Sequence, residues 1–379
     1  MQVDNPAHDL AILQFHDQCR QRGVQLVLLP IPDKAQLQSA QLSRFDESIA
    51  PLNNPDFQRF VAELRAHGVE VIDVLPPTIA PADRRFLVQD THWTPEWMDH
   101  VARQVAERLR SEAATKSVKQ PEQVTRLGDL VDMLRLPAGQ TLFHPQTVTV
   151  ERIVESPGKP ADILVLGDSF SNIYSSDQMG WGDSAGFVEH LAFHLGRPVD
   201  RLVRNDAGAH ATREMLAKEF QRGHDRLAGK KVVIWEFAAR ELACGDWRMI
   251  PLTLGTKREV GMYTPSAGKV VEVRGVVRAA SPAPRPGTVP YKDHIVMVHL
   301  TELESSEDPT AAGKEAVAFV WSMRDNVATK AARYRAGDQV RLRLRRWADV
   351  AAKYEAINRS ELDDEAVLLA EPNWGEVLP

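Results

Sequence analysis

Cysteine is nearly absent from this 379-residue chain: Cys19 and Cys244 are the only two, and neither belongs to a C-x-x-C pair. That excludes a zinc ribbon and a thioredoxin-type redox motif. Whether the two thiols pair in an oxidising compartment depends on a distance that sequence does not give. Also missing is any run of about 18 apolar residues, the length a membrane-crossing helix needs. No G-x-x-x-x-G-K loop occurs, which argues against nucleotide binding. Basic residues are not in excess: 46 Lys and Arg face 52 Asp and Glu, a net charge of −6. Nucleic-acid binders usually carry a basic surface, so no nucleic-acid partner is expected. The opening MQVDNPAHDL is polar and has no signal-peptide core. Either the protein is cytoplasmic, or the sequence is the soluble part of a longer exported protein. The direct entry into FHDQCRQRGVQLVLLPIP, a helix-then-strand pattern, favours the second.

What is present is ordinary for a soluble globular protein, with 43% hydrophobic and 26% charged residues. The length suits two domains. Short apolar runs bounded by turn residues recur over the first 250 positions: VQLVLLPIP (24–32), VEVIDVLP (69–76), DILVLGDS (162–169), RLVRND (201–206) and KVVIWEF (231–237). They read as buried strands of a mainly parallel sheet. Helical patterns separate them. One runs from Pro55 to His67 and stops at Gly68; another runs from Pro95 to Arg110 with Thr94 as N-cap. This alternation predicts an α/β domain over residues 1–250. The texture changes near Leu252. VVEVRGVVRAA, DHIVMVHLTEL, EAVAFVWSM and DQVRLRLRRW are serial strands, the last alternating Val340, Leu342 and Leu344 with arginines. A linker over 251–263 and a small all-β domain over 264–379, an OB-like barrel or a sandwich, are expected. SEAATKSVKQPEQ (111–123) reads as an exposed linker.

Two motifs bear on chemistry. In VLGDSFS (165–171) an apolar strand runs into Gly-Asp-Ser, which would expose the Ser169 hydroxyl at the carboxyl edge of the sheet. A serine hydroxyl is a weak nucleophile and needs a base within hydrogen-bond reach. DTHWTPEW (90–97) offers one: Asp90 and His92, two residues apart before a helix, suit an orienting carboxylate and a general base. Taken singly, each motif is better explained by a strand-ending turn or by a surface histidine beside a helix cap.

Together on an α/β scaffold, GDSF and D-x-H-W resemble the SGNH-hydrolase-like polysaccharide O-acetyltransferases of the alginate type. The likeness extends through SNIYSSDQMGWGDSAGFVEHLA, RNDAGAHATREML and KVVIWEFAARELACGDW, and covers roughly Leu10 to Trp247. It implies Ser169 as nucleophile with His92 and Asp90 completing the triad. Asp90-x-His92 precedes Ser169, the permuted order of that branch. The resemblance also implies a polysaccharide acceptor, a membrane O-acyltransferase as acetyl donor partner, and work in the periplasm, with an N-terminal anchor or signal not in this sequence. The Ser169 N–H is a candidate oxyanion donor. Asn205, after the apolar strand, is another candidate, with a turn-forming role as the alternative.

Other features point to structure. Glu236 and Arg240, four apart, suit an ion pair. His190 and His194, also four apart, lack the glutamate of H-E-x-x-H and any visible third ligand, so no metal is expected. No cofactor is expected either. Trp93 reads as a packing residue behind His92. Tyr174, Trp181 and Arg213 are candidates to line a pocket. Trp321, Trp347 and Trp374 read as core, with sugar stacking as the alternative. The expected function is O-acetyl transfer through a serine ester to an exported polysaccharide. An acetyl-esterase with the same triad, or a non-catalytic polysaccharide-binding scaffold, are the alternatives.

Overall fold

The computed structural model describes residues 6–39, 52–76, 84–109, 117–137, 139–154, 161–205, 208–255, 261–289, 291–355 and 357–379. The chain divides into two units, one of residues 1–215 and 226–251, the other of 216–225 and 252–379.

The first unit contains strands β1 (Gln25–Ile31), β2 (Glu70–Val71), β3 (Val118–Arg126), β4 (Gln146–Val154), β5 (Ile163–Gly167), β6 (Asp200–Val203) and β7 (Val232–Ala238). Five of them make one sheet in the order β2-β1-β7-β5-β6, and every pairing is parallel. All residues of β5 and β7, and all but the first of β1, are buried. Central parallel strands are covered on both faces, so they read as unbroken apolar runs. Helices cover the sheet: Pro6–Arg20, Pro55–Ala66, Pro95–Arg108 and Phe187–Leu195. Their starts follow local chemistry. Asn54 accepts the Asp56 N–H and Thr94 accepts the Trp97 N–H, each followed by a proline in the first turn. Trp93 packs edge-on against Phe170, ring centres 5.4 Å apart, inside the main core.

The expected linker at 111–123 differs from the structure. Residues 110–116 lie outside the described part, but Val118–Gln123 belong to β3, which pairs antiparallel with β4 as a two-stranded ribbon. Most of its side chains are exposed, so it carries no apolar period by which a strand is recognised. Cys19 is buried and Cys244 exposed, and they do not pair. Burial pushes the Cys19 thiol up to about 12.

The second unit contains β8 (Val271–Ala280), β9 (His294–Glu304), β10 (Ala316–Arg324), β11 (Val327–Ala328), β12 (Gln339–Arg346), β13 (Arg359–Ser360) and β14 (Asn373–Val377). Five strands pair in a circle, β10-β14-β12-β8-β9 and back to β10, so the sheet closes into a barrel. Val340, Leu342 and Leu344 point inward from β12. Trp374 stacks on Tyr354 at 4.0 Å and meets Trp321 edge-on, and Trp347 packs on Phe319, so the three tryptophans serve one aromatic cluster. Of the expected linker 251–263, residues 256–260 are outside the described part, and Tyr263 is buried in the barrel core.

Candidate active site

β5 ends at Gly167, and the chain turns through Asp168 into the single helical turn Ser169–Asn172. Asp168 caps that turn, accepting the Phe170 N–H at 2.8 Å, and its other oxygen accepts the Ala238 N–H of β7 at 3.1 Å. A side chain at 167 is forbidden: a Cβ there would stand 2.4 Å from Ser171 Oγ and 2.9 Å from Glu236 Oε2. Glu236 reaches under the turn from β7. Its Oε2 accepts from Ser171 Oγ at 2.5 Å and from the Asp168 N–H at 3.1 Å, while Oε1 is buried without a hydrogen-bond partner. Burial, reinforced by the charge of Asp168, raises its carboxyl well above the usual range. The expected Glu236–Arg240 pair is absent. Glu236 sits on an extended strand, where four residues span about 13 Å and not one helical turn, and the side chain that meets Arg240 is Asp33, at 3.0 Å. That pair borders a cleft of about 860 Å³ at the carboxyl ends of β1, β2 and β7, which Phe57, Phe60 and Asp73 also line.

The second component is the loop before the helix Pro95–Arg108. A short bridge between Phe86 and Trp93 closes it, and Lys34 Nζ donates to the carbonyls of Leu87, Val88 and Asp90. Tyr174 donates to the Trp93 carbonyl at 2.6 Å. Held in this way, His92 stands with Nε2 2.9 Å from Ser169 Oγ and Nδ1 2.6 Å from Asp90 Oδ1. Asp90 is 1% exposed. Its Oδ1 also accepts the His92 N–H, and its Oδ2 accepts the Asp129 N–H at 3.0 Å and Trp181 Nε1–H at 2.9 Å.

These bonds set the charges. Burial alone would raise the Asp90 carboxyl, but the bond and charge of His92, with the Asp129 and Trp181 donors, outweigh it and hold the group far below its ordinary value. Burial would likewise depress His92; the bond to Asp90 and the charges of Asp90, Asp129 and Asp168 win, and its pKa is raised. An Asp-bound Nδ1–H leaves Nε2 as the basic nitrogen, facing the serine.

Asn205 lies two residues beyond β6. Its Oδ1 accepts from Asn172 Nδ2, on the serine's own turn, at 3.0 Å, and its Nδ2 donates to Met179 Sδ at 3.3 Å. The Ser169 N–H opens a helical turn, where no intrahelical acceptor exists.

Of the residues considered for the pocket, Trp181 holds Asp90 and Tyr174 holds the histidine loop. Arg213 does neither: its guanidinium lies 4.2 Å over Phe15 and donates to the carbonyls of Ala11 and Ile250. Asp129 was not foreseen. Its side chain accepts from Thr91, and one oxygen lies 3.8 Å from His92 Nδ1. The only local hint was Gly128 before it, where a Cβ would stand 2.0 Å from the Gln89 carbonyl oxygen.

The chain is similar to several known proteins. A probable alginate O-acetylase AlgJ of Pseudomonas putida is 26% identical over 251 residues, 62% of this chain and 63% of that protein. The protein of the same description from Pseudomonas syringae pv. tomato is 31% identical over 253 residues, 63% of each. The chain thus spans less than two thirds of the length of these relatives. Among solved structures, the O-acetyltransferase domain of Pseudomonas putida AlgJ is 23% identical with a TM-score of 0.48, covering 62% of this chain and 83% of that one. Residues 4–239, more than half the chain and all of the site above, match the family described as SGNH hydrolase-like domain, acetyltransferase AlgX, and to that family the chain belongs.

Proposed function

We propose that this protein is an O-acetyltransferase that carries an acetyl group on Ser169 to hydroxyls of an exported polysaccharide. The observation that supports it most directly is the alignment of Asp90, His92 and Ser169 at 2.6 and 2.9 Å. As Ser169 Oγ attacks the acetyl carbonyl of a donor ester, its proton passes to His92 Nε2. Asp90 holds the imidazole in register and stabilises the imidazolium. The negative charge on the carbonyl oxygen is met by the Ser169 N–H and Asn205 Nδ2–H. Collapse expels the donor's oxygen, which leaves with the proton from His92. In the second half a sugar hydroxyl gives its proton to His92 and attacks the acetyl-serine; collapse returns the proton to Ser169 Oγ.

The relatives described as probable alginate O-acetylases support a polysaccharide as the acceptor. A membrane O-acyltransferase supplies the acetyl group, the periplasm is the place of work, and residues 1–250 form the catalytic domain. An acetyl-esterase would use the same three residues with water as acceptor. The experiment that separates them is incubation with a chromogenic acetyl ester, with and without candidate oligosaccharides, following hydrolysis and acetylated sugar by mass spectrometry. Acetylated sugar supports transfer; acetate alone, with every oligosaccharide tried, marks an esterase; no turnover and no acetyl-enzyme marks a non-catalytic binding protein.

A further inference from the structure

His190 and His194 lie one turn apart on the helix Phe187–Leu195, and Asp99 faces them from the helix Pro95–Arg108. His190 Nδ1 stands 2.5 Å, and His194 Nε2 2.7 Å, from the same atom, Asp99 Oδ1. Lys119 Nζ is 3.1 Å from that oxygen as well. A carboxylate oxygen offers about two lone-pair sites, so three nitrogens around it are crowded. The other nitrogen of His190 decides what lies between. His190 Nε2 is 2.9 Å from the Glu151 carbonyl oxygen, which only accepts, so Nε2 carries a proton. In a neutral imidazole Nδ1 is then a bare lone pair. A lone pair 2.5 Å from a carboxylate oxygen requires a proton between them, or a shared cation once the two atoms part to about 3.2 Å, as tetrahedral bonds of about 2.0–2.1 Å demand.

We propose that Asp99 Oδ1, His190 Nδ1 and His194 Nε2 form a binding site for a divalent transition ion of the zinc class, with water in the fourth position. The three atoms lie within 4.8 Å of one another. Two histidines at i and i+4 with a carboxylate from elsewhere are nitrogen–oxygen donors of the kind zinc takes. The Glu151 carbonyl behind His190 is the outer bond that orients a ligating imidazole. The third ligand missing from the sequence is Asp99, 91 residues upstream of His190. The side chains of Asp99 and His194 are 25% and 16% exposed, so an ion enters from solvent. Lys119 then moves to Glu151 Oε2, which it already meets at 2.7 Å. The ion would fasten the helix that begins three residues after His92 to the helix Phe187–Leu195. This site is independent of the Ser169 chemistry and of the acetyltransferase reading.

The test uses the full chain stripped with a chelator and titrated with zinc chloride by calorimetry, and with cobalt(II) by visible absorption. One equivalent of zinc should bind, and Tm should rise with free zinc as a native-state ligand requires. His194→Ala and Asp99→Asn should each weaken binding by at least about tenfold, comparable to or beyond the loss from an outer-shell change. Lys119→Met, which removes the competing ammonium, should tighten it. Circular dichroism checks that each variant is folded, and Lys119→Met, which alters no ligand, decides the matter should the others unfold. Absence of binding in both the wild type and Lys119→Met would overturn the proposal and leave an imidazolium–carboxylate cluster. Zinc binding unchanged in His194→Ala and Asp99→Asn would overturn it by locating the ion elsewhere.

Discussion

Trp181 donates its indole N–H to Asp90 Oδ2 at 2.9 Å, across 91 residues of chain. With the Asp129 N–H on the same oxygen and His92 on the other, it allows a carboxylate that is 1% exposed to stay ionised. Hydrogen bonds to a charged group are worth about 1.5–3 kcal/mol each. Trp181→Phe keeps most of the ring's packing and removes one of them. Urea unfolding should show a loss of that order, and kcat/KM for an acetyl ester should fall because Asp90 orients His92 less firmly. A variant unchanged in both would show that the bond carries nothing.

Ser169→Ala should abolish both the acetyl-enzyme and turnover. His92→Ala should cost about as much, since members of such a unit are not additive. Asp90→Ala should retain more activity than either, because Asp90 orients the base and does not attack. Intact-protein mass after brief exposure to an activated acetyl ester reads the first step. An acetyl adduct on Ser169→Ala that survives, or full activity in His92→Ala, would mean that nucleophile or base is misassigned.

His92 acts as a base only when neutral, and its pKa is raised. The acid limb of kcat/KM should therefore fall above the ordinary histidine value of about 6.5. Asp129 is one of the charges responsible. Asp129→Asn keeps the side chain's shape, removes that charge, and should move the limb toward lower pH. The same shift has a stability side. A raised native pKa stabilises the fold fully below the unfolded value of about 6.5, and that contribution is lost as pH rises through the native pKa. A limb that stays in place in Asp129→Asn would exclude Asp129 from tuning His92.

Glu236 lies buried beneath the serine turn, and its native pKa is raised well above the ordinary value. Between the unfolded value of about 4.3 and that raised value, the native state holds a proton the unfolded chain has lost, so stability falls as pH climbs. Glu236→Gln keeps an acceptor for the Asp168 N–H and never ionises, so its stability should decline less over that window. Glu236→Leu leaves the Asp168 N–H and Ser171 Oγ without their acceptor and should cost about 1–3 kcal/mol. Denaturant midpoints from pH 5 to 9 compare the three. Parallel pH curves for wild type and Glu236→Gln would mean that Glu236 is ionised throughout.

Much of the frame was legible along the chain. β1, β5 and β7 are unbroken apolar runs because a parallel sheet buries both faces, and β12 alternates because a barrel buries one. GDSF and D-x-H-W were visible because local rules govern them: a strand must end, a turn must be capped, and the helix after Trp93 needs Thr94 and Pro95. β3 was not visible, since a two-stranded ribbon with mostly exposed side chains has no buried face to impose a period. β14, five residues long, is a strand because β10 and β12 stand on either side of it.

The chain order therefore determined which residue types end strands, cap helices and carry a hydroxyl, an imidazole and a carboxylate. Tertiary structure decided which of them meet. The order β1-β7-β5 sets Glu236 under Ser171 and Asp168, although 65 residues separate Glu236 from Ser171. The turn through Gly128 delivers the Asp129 N–H to Asp90, and the packing of two helices brings Asp99 to His190 and His194. Hydrogen-bond and charge interactions act over a few ångströms, whereas local propensity acts over a few residues. Partners 39 to 95 positions apart leave no mark in any short stretch of sequence, and only the closing of the core brings them within reach.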